Sequence, residues 1–519
     1  MTTLVDLTRR AHERYSPHPA VLGDTGWLTF HDLAAAARRI VRALDRAGVR
    51  RGDRVVIALG NRPESLMLDH ALFRAGLVRV AVSERLHGYE VSDITSDCSA
   101  AAAVVEPHHV APLTKARPSL PSLRTLIAPD AGDITLAELV GSDDDDPGDI
   151  PDPGVTPDDV AALMYTSGTT GRPKGAIVTH RGWVAMVRAF WAALPPMQPG
   201  DVVLHVAPMS HFGGSAGSAA TFRGAAALPV AKFEPERILR LVEQHRVTVL
   251  PLVPTMMKEL TAAAEHASYD LSSLRAIPYG GSAISAAGAA RARDVFGDVL
   301  YQCYGLSEAL APLTVLSARD HADARTYPDR LTSAGRPLPE VELVVTDAAG
   351  VAVPPGVMGE VRVRGEQVMP GYWRRPEHTA EVLLPDGWLR TGDIGRLDAD
   401  GYLHLVDRQR DIIVSGGFTI YPSEVERAIA AHPDVDDVIV VGIPHERWGE
   451  AVAAVVVPRP GADLSTDDVI KACTDRIAAY KKPVHVEIVA ELPVSSTGKP
   501  ARREIRDRFW QHRDRYVGQ

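Results

Sequence analysis

Short apolar runs alternate with helical patterns in the first part of the chain, and this alternation constrains the fold more than any other feature. Apolar residues recur at helical spacing over residues 29–48, and a second helical pattern covers residues 63–76. The apolar runs 55–59 and 78–82 follow these helical segments in turn. Because strands joined by helical crossovers pair in parallel, the pattern predicts a parallel sheet covered by helices.

The pattern changes twice further along the chain. Segments 202–206, 247–250 and 276–278 have the composition of strands, with helical patterns between them. From about residue 332, short alternating strands are separated by glycine turns, which predicts a β-rich subdomain. After residue 410 the pattern becomes mixed, which is typical of a small α+β domain. We therefore predict a large α/β N-terminal domain over residues 1–409 and a small α+β C-terminal domain over residues 410–519.

Composition excludes several function classes. A chain of 519 residues is long for one hydrophobic core, and its net charge of -10 disfavours a nucleic-acid partner. No apolar run approaches the ~20 residues that span a bilayer, and the first residues lack a signal-peptide core. We therefore expect a cytoplasmic protein without a membrane span. Cys98, Cys303 and Cys473 are widely spaced, so they predict buried thiols and neither a disulfide framework nor a zinc site.

A glycine- and hydroxyl-rich segment follows the apolar run that ends at Met164. Its glycines leave backbone N–H groups unobstructed, its hydroxyls add donors, and a lysine adds positive charge, a combination suited to a polyphosphate such as that of ATP. The residues concerned are Thr166, Ser167, Gly168, Thr169, Thr170, Gly171 and Lys174. The order is not that of the Walker loop, because no Gly-Lys-Ser/Thr sequence closes it. A surface turn is the alternative interpretation.

Residues 165–175 resemble the phosphate-binding signature of the adenylate-forming superfamily, which contains acyl- and aryl-CoA ligases, luciferases and the adenylation domains of peptide synthetases. Further segments resemble family motifs in the expected order, so the resemblance covers nearly the whole chain. It implies the two-domain α/β and α+β architecture predicted above, with a C-terminal domain that is mobile. It also implies ATP, Mg²⁺ and CoA as cofactors.

The resemblance assigns nucleotide-binding roles to four further segments. Tyr304, Gly305 and Ser307 would contact the adenine ring and the α-phosphate, and Gly280, Gly281 and Ser282 would line the adenine pocket. Asp393 and Arg408 would hold the ribose hydroxyls. Glu308, a hard oxygen ligand, would bind Mg²⁺ together with Thr166. Each of these segments, taken alone, is also an ordinary turn.

The resemblance also assigns the catalytic lysine and the parts that move. Lys499 would stabilise the transition state in which a carboxylate attacks the α-phosphorus of ATP, because two anions meet there. Arg410 stands where the family usually has a Lys or Asp hinge, and rotation about it would withdraw Lys499. Gly416 and Gly417 would then leave room for the pantetheine arm of CoA.

Residues 208–214 correspond to the family segment that lines the acid pocket. His211 stands where amino-acid-activating relatives have an Asp, which argues against an amino-acid substrate. His211 either orients the acyl carboxylate or is a core histidine. The small residues that follow it, among them Gly213, Gly214 and Gly217, suggest a roomy, mostly apolar cavity. An aromatic or medium-length aliphatic acid would fit such a cavity.

The sequence thus predicts an ATP- and Mg²⁺-dependent carboxylate–CoA ligase acting through an acyl-adenylate, with a small carboxylic acid, ATP and CoA as its partners. Three alternatives stay open: another acceptor such as a carrier protein or an amine, a nitrite-activating diazotase, and a non-catalytic nucleotide-binding protein. The last is disfavoured because Lys174, Glu308, Asp393, Arg408 and Lys499 are all present. A homodimer is compatible with the sequence.

Overall fold

The computed structural model describes residues 2–141, 148–166, 173–282, 284–408, 411–415, 418–474, 476–494 and 501–510. The chain divides into two compact units. Unit 1 comprises Met1–Leu343 and Val363–Leu389, and unit 2 comprises Val344–Arg362 and Arg390–Gln519. The predicted domain boundary between residues 409 and 410 lies outside the described residues and stays a prediction.

Unit 1 alternates helices and strands, which we number in chain order. Helices α1–α13 are Leu4–Arg14, Phe30–Arg46, Pro63–Ala75, Gly88–Asp97, Pro107–Ala116, Leu136–Val140, His180–Ala193, Phe212–Thr221, Pro235–His245, Pro254–His266, Ala286–Phe296, Ala318–Asp323 and Pro376–Val382. Strands β1–β15 are Pro19–Gly23, Gly26–Thr29, Arg54–Ala58, Val78–Ala81, Ala102–Val105, Thr125–Ala128, Ile134–Thr135, Val160–Thr166, Lys174–Thr179, Val202–His205, Ala226–Pro229, Ile277–Gly280, Leu300–Leu306, Ala309–Leu316 and Arg336–Pro337.

The largest sheet of unit 1 has seven strands in the order β7-β6-β5-β3-β4-β8-β9. All neighbours in it are parallel except β8 and β9, which are antiparallel. Its strands carry buried aliphatic side chains, including Val56, Val80 and Leu163, and each such side chain contributes about 1.5–3 kcal/mol when it leaves water. The parallel sheet predicted from the alternating pattern is confirmed.

Two four-stranded sheets complete unit 1, in the orders β10-β11-β1-β2 and β12-β13-β14-β15. An extended segment joins them, because Val249 makes parallel bridges to both Val203 and Ala276. Segment 247–250, predicted as a strand, is therefore hydrogen-bonded on both sides but forms only isolated bridges. Leu204, Leu250 and Ile277 along this continuous surface are fully buried.

Several helices begin where the sequence supplies a cap. The Thr29 side chain accepts a hydrogen bond from the Asp32 N–H, and the Asp32 side chain accepts one from the Thr29 N–H, which forms a capping box at the start of α2. Helix α3 begins at Pro63 and ends at Ala75, and the next residue, Gly76, has a φ of 63° that suits a glycine C-cap. These local signals explain why the predicted helices over 29–48 and 63–76 match the structure closely.

Unit 2 contains the remaining elements. Strands β16–β24, apart from terminal residues of the first three, are Glu342–Thr346, Gly359–Arg364, Leu389–Leu397, Leu403–Arg408, Ile413–Ser415, Phe418–Ile420, Val435–His445, Gly449–Pro458 and His485–Ile488. Helices α14–α16 are Pro422–Ala430, Thr466–Thr474 and Arg502–Trp510. One sheet has the order β16-β17-β18-β19, and the other has the order β21-β20-β23-β22 with β24 paired to β23.

The structure also tests two predictions made from composition. Cys98, Cys303 and Cys473 are buried and free, as predicted. None of the helices within the described ranges is long and apolar enough to cross a bilayer. The architecture, a large α/β part and a smaller α+β part, agrees with the predicted fold class.

Candidate functional site

The predicted phosphate loop joins two paired strand ends. Thr166, at the end of β8, pairs with Lys174, at the start of β9, so the two strand ends lie side by side in the sheet. Because β8 runs parallel to β4, the loop lies at the carboxyl end of a parallel strand, where α/β sheets bind ligands. The loop residues Ser167, Gly168, Thr169, Thr170 and Gly171 themselves lie outside the described residues.

Tyr165 anchors the start of this loop to the helix that precedes β5. Its hydroxyl donates a hydrogen bond to Asp97 Oδ2 at 2.6 Å, and Arg375 forms an ion pair with the other oxygen of the same carboxylate. Burial raises the pKa of Tyr165, so the phenol keeps its proton and acts as a donor. The Tyr165 ring packs against Gly175, where a Cβ would lie 3.1 Å from it.

Tyr372 contacts both Lys174 and Glu308. The Tyr372 hydroxyl donates a hydrogen bond to Glu308 Oε1 at 2.8 Å. Lys174 Nζ lies 5.6 Å from the centroid of the Tyr372 ring, within the range of a cation–π contact. One tyrosine thus contacts both an ammonium group, at the start of β9, and a carboxylate, and all three side chains are half-buried.

The segment that carries Tyr372 is fixed by backbone hydrogen bonds on both sides. The Met369 N–H donates to the Glu308 carbonyl at 2.8 Å, and the Trp373 N–H donates to the Gly175 carbonyl at 2.8 Å. Sequence reasoning missed Tyr372. The available signal was a Pro-Gly turn followed directly by two aromatic residues, in a stretch with no periodicity.

The predicted adenine-binding residues lie on neighbouring strands. Strand β12 ends at Gly280, which pairs in parallel with Cys303, the residue before Tyr304 on β13. A Cβ on Gly280 would lie 2.3 Å from the Cys303 carbonyl oxygen, so only glycine allows this approach. Gly281 has a φ of 89°, a conformation that side chains disfavour, and it places Ser282 just beyond the strand end.

Residues 304–308 form the tip of a hairpin between β13 and β14. Leu306 pairs with Ala309, so Ser307 and Glu308 form the two-residue connection. Position 305 requires glycine, because the Cβ of any other residue there would lie 2.5 Å from the Ala311 Cα. Strand β14 follows this connection directly, so the motif lies in a turn between two strands.

His211 is the N-cap residue of α8, on the connection that follows β10. Its ring nitrogen Nδ1 lies 2.8 Å from Ser210 Oγ, and the side chain is half-buried. The side-chain amide of Asn61 orders this connection by donating to the His205 and Ala207 carbonyls and accepting from the Met209 N–H. The position is compatible with either role predicted for His211.

The glycines of α8, which were predicted to indicate a roomy cavity, lie in close contact with the backbone and side chains of the preceding segment. A Cβ on Gly214 would lie 1.9 Å from the Met209 carbonyl oxygen, and one on Gly213 would lie 2.5 Å from the Ala207 carbonyl oxygen. A Cβ on Gly217 would lie 1.9 Å from the ring of His205. These glycines allow close packing of α8 on the preceding segment, so their small size is not a measure of cavity volume.

Strand direction brings three of the predicted segments to one edge. Strand β10, the extended segment at Val249, β12 and β13 are mutually parallel, so their carboxyl ends meet at the same edge of the sheet. The connection to His211, the turn at Gly281 and the hairpin tip at Ser307 all leave from that edge. This is where an α/β sheet offers a ligand crevice.

The ribose-binding pair predicted for Asp393 and Arg408 lies in unit 2. Asp393 on β18 pairs directly with Arg408 on β19, and Asp393 is buried, with only 6% exposure. The Asp393 N–H donates to Thr391 Oγ1 at 3.1 Å. The other residues predicted for this part of the chain, Arg410, Gly416, Gly417 and Lys499, lie outside the described residues.

Mg²⁺ fits the chemistry of Glu308. In the described part of the chain, no group of three or more His, Cys, Asp and Glu side chains is arranged to hold a metal. A magnesium ion at this carboxylate would therefore take its remaining ligands from nucleotide phosphates and water, which is its usual mode in nucleotide-binding proteins. Thr166, the second predicted metal ligand, stands at the end of β8, opposite Lys174.

Asp407, next to the predicted ribose ligand Arg408, should make the stability of unit 2 depend on pH. Burial raises the pKa of the Asp407 carboxyl from 3.8 to about 6, although the Ser423 N–H donates to it at 2.9 Å. The folded chain therefore keeps a proton that the unfolded chain has lost, and stability falls as pH rises from about 4 to about 6. Because the side chain is partly exposed, we expect a loss of about 1–2 kcal/mol.

The variant Asp407→Asn removes the titrating group but keeps an oxygen for the Ser423 N–H. We expect it to unfold at higher denaturant concentration than the parent at pH 8 and at the same concentration at pH 4. Asp463→Asn, at an exposed aspartate of the same unit, is the control and should change neither. An NMR titration that gave Asp407 an ordinary pKa near 3.8 would contradict this account.

Comparison with known proteins agrees with this fold. The model of the family described as AMP-binding enzyme matches residues 7–373, and that of the AMP-binding enzyme C-terminal domain matches residues 424–499. Among solved structures, the amide bond synthetase McbA from Marinactinospora thermotolerans has a TM-score of 0.87 and 32% identity, with 98% of this chain and 99% of that chain covered. ATP-bound MatB from Rhodopseudomonas palustris has a TM-score of 0.88 and 28% identity, with 98% and 99% covered.

The chain belongs to the AMP-binding enzyme family, as the resemblance predicted. Two curated relatives are similar over nearly their whole length. Feruloyl-CoA synthase from an Amycolatopsis species is 38% identical, over 96% of this chain and 98% of the relative. The medium/long-chain-fatty-acid–CoA ligase FadD8 from Mycobacterium tuberculosis is 34% identical, over 98% of this chain and 90% of the relative.

Proposed function

We propose that this protein is an ATP-dependent carboxylate–CoA ligase that forms an acyl-adenylate and then transfers the acyl group to the thiol of CoA. The observation that carries the proposal is the cluster of Lys174, Tyr372 and Glu308 at the mouth of the predicted phosphate loop. A positive side chain and a magnesium-type ligand that contact the same tyrosine suit a triphosphate. The identity to CoA ligases over nearly the full chain supports the same reaction.

In the first step, the loop backbone and Lys174 would bind the phosphates of ATP, and the Tyr304 ring would stack on the adenine. Glu308 would hold Mg²⁺, which when bound neutralises phosphate charge. The substrate carboxylate then attacks the α-phosphorus, the bond to pyrophosphate breaks, and an acyl-adenylate forms. Lys499 would donate positive charge to the oxygens that meet in this transition state.

In the second step, the CoA sulfur attacks the acyl carbonyl carbon and AMP leaves. The segment with Gly416 and Gly417 would pass the pantetheine arm, after rotation at Arg410 has withdrawn Lys499. Asp393 and Arg408, which are direct cross-strand neighbours in unit 2, would hold the ribose through their paired strands. We place the reaction in the cytoplasm, and the net charge of -10 favours small-molecule partners over nucleic acid.

We propose an aromatic or medium-length aliphatic acid as the substrate. Feruloyl-CoA synthase and indoleacetate–CoA ligase, at 38% and 36% identity, are named for aromatic acids, and FadD8 is named for medium and long fatty acids. His211 would orient the carboxylate from the N-cap of α8. The absence of a carboxylate in the described segment around His211 disfavours a substrate with an α-ammonium group.

Pyrophosphate exchange into ATP tests the proposal. A panel should contain ferulate, indoleacetate, benzoate, fatty acids of graded length, phenylalanine and nitrite. We expect acid-dependent exchange with at least one aromatic or medium-chain acid, and CoA-dependent release of the matching thioester. Exchange with phenylalanine alone, or nitrite-dependent AMP release without any carboxylate, would contradict the proposed substrate class.

A second candidate changes only the acceptor. The structure of the amide bond synthetase McbA matches this chain over 99% of its own length, with a TM-score of 0.87. This similarity favours an amine as the alternative acceptor to CoA. Incubation with ATP and the activating acid, with either CoA or a panel of amines, distinguishes the two. Thioester formation supports the ligase, and amide formation that needs no CoA supports the second candidate.

A further inference from the structure

A cavity of about 580 Å³ lies in unit 1. Its walls come from helix α1, helix α7 and the C-terminal end of helix α8. It shares no lining residue with the predicted nucleotide, acid or metal ligands. Its volume is that of pockets which hold small organic ligands.

The cavity is strongly cationic although the whole chain is acidic. Its charged lining residues are Arg10, Arg14, Arg181, Arg188, Arg223 and Glu366. Five arginines therefore face one carboxylate, in a protein whose net charge is -10. A local field of this sign attracts anions.

The single glutamate compensates only part of this charge. Glu366 forms ion pairs with Arg188 at 2.6 Å and Arg181 at 3.6 Å, and Arg181 also pairs with Asp158 at 2.8 Å. Within the described ranges, no carboxylate lies at ion-pair distance from the three other arginines of the cavity. The helix dipole accounts for positive charge at the C-terminal end of a helix, but not for a convergence of three elements on one cavity.

Two of these arginines lie one turn apart on the same helix. Arg10 and Arg14 occupy positions i and i+4 of α1, where like charges destabilise a helix by a few tenths of a kcal/mol. The neighbouring Arg9 pairs with Asp6 at 3.7 Å and with Glu13 at 3.3 Å, while Arg10 interacts with Asp6 only at longer range. An anion bound between Arg10 and Arg14 would relieve the repulsion.

Arg223, the third of the cavity arginines without an ion pair in the described part of the chain, is held in position by an aromatic ring. The Arg223 guanidinium lies 4.1 Å from the ring centroid of Trp191, and the indole N–H donates to the Ala219 carbonyl at 2.7 Å. This hydrogen bond fixes the ring, and the ring positions the guanidinium. Leu7, Val184 and Phe222 add a buried apolar floor to the same cavity.

We propose that this cavity binds a phosphate-bearing ligand with an apolar or planar body. The planar forks of Arg10, Arg14 and Arg223 offer several donors, which match the three oxygens of a phosphate better than the two of a carboxylate. Trp191 and the apolar floor would receive the attached body. The phosphate could belong to a soluble organic phosphate or to a lipid headgroup, since the chemistry is shared.

Calorimetric titration of the full chain tests the proposal with phenyl phosphate as the soluble probe. We expect one strong site, about tenfold weaker in the double variant Arg10→Gln/Arg14→Gln, which loses two charged donors. Arg9→Gln, on the same helix but outside the cavity, is the matched control and should change affinity less than twofold. Exposed arginines tolerate glutamine, and unchanged thermal unfolding verifies the fold of each variant.

Two further arms identify the ligand and can overturn the assignment. Flotation with phosphatidylglycerol vesicles, set against phosphatidylcholine vesicles, reports a lipid headgroup. A lipid headgroup is the ligand if the parent binds vesicles but not phenyl phosphate and the double variant loses vesicle binding. A soluble phosphate is the ligand if the parent binds phenyl phosphate but not vesicles and the double variant binds phenyl phosphate more weakly. Equal binding by the double variant and the parent overturns the proposal, as does phenylacetate binding as tightly as phenyl phosphate or no binding in either arm.

Discussion

Replacing Lys499 by alanine should reduce acid-dependent pyrophosphate exchange by about 10²–10³, the usual loss when one preorganised charge on a transition state is removed. The carboxylate of the substrate and the α-phosphate of ATP are both anionic, so their approach is opposed by charge until a cation is placed between them. Lys499 is the residue that the family resemblance assigns to this position. The defect should appear mainly in the rate of exchange, and less in ATP binding.

The second half-reaction provides the internal comparison. If rotation withdraws Lys499 before thioester formation, then Lys499→Ala should convert a supplied acyl-adenylate and CoA to thioester within about twofold of the parent rate, because the side chain makes no transition-state contact there. Lys482→Ala, at another lysine of unit 2, is the matched control and should leave both steps unchanged. Equal losses in both half-reactions would reject the role assigned to Lys499.

Elements with a local signal were predictable from the sequence. The helix over 29–48 was visible from the spacing of its apolar residues, and the structure ends it at Arg46 and begins it after the Thr29 cap. The strands at β3 and β4 were visible because a doubly covered parallel sheet needs continuous apolar runs. In each case the apolar pattern that indicates the element lies within the element's own residues, although the strands pair with partners further along the chain.

Features that depend on distant contacts were not predictable in the same way. The segment around Tyr372 pairs with residues near Glu308 and Gly175, which are far away along the chain, and nothing in its own pattern shows this. Segment 247–250 has an apolar run but forms only isolated bridges, through Val249, to Val203 and Ala276. The glycines of α8 suggested empty space, whereas distant backbone atoms occupy it.

After Lys499, substitution of Glu308 should cause the largest loss of activity. The variant Glu308→Gln keeps the shape of the side chain and an oxygen that can accept from the Tyr372 hydroxyl, but it loses the negative charge that a magnesium ion requires. We expect kcat/KM for ATP to fall by about a hundredfold, with a higher Mg²⁺ concentration needed for half-maximal activity. Pyrophosphate exchange measured across a Mg²⁺ series gives both quantities.

A variant of Tyr372 tests whether its hydrogen bond to Glu308 contributes to Mg²⁺ binding by that carboxylate. Tyr372→Phe removes the 2.8 Å hydrogen bond to Glu308 but leaves the ring beside Lys174, so we expect about a tenfold loss, typical of a residue that orients a metal ligand. Tyr327→Phe, at an exposed tyrosine, is the control. Because Tyr372 would act through the Glu308 carboxylate, the double variant should lose little more than Glu308→Gln alone. Multiplicative losses would show that the two side chains act independently, and the cluster at the loop mouth would then not be a single metal-binding unit.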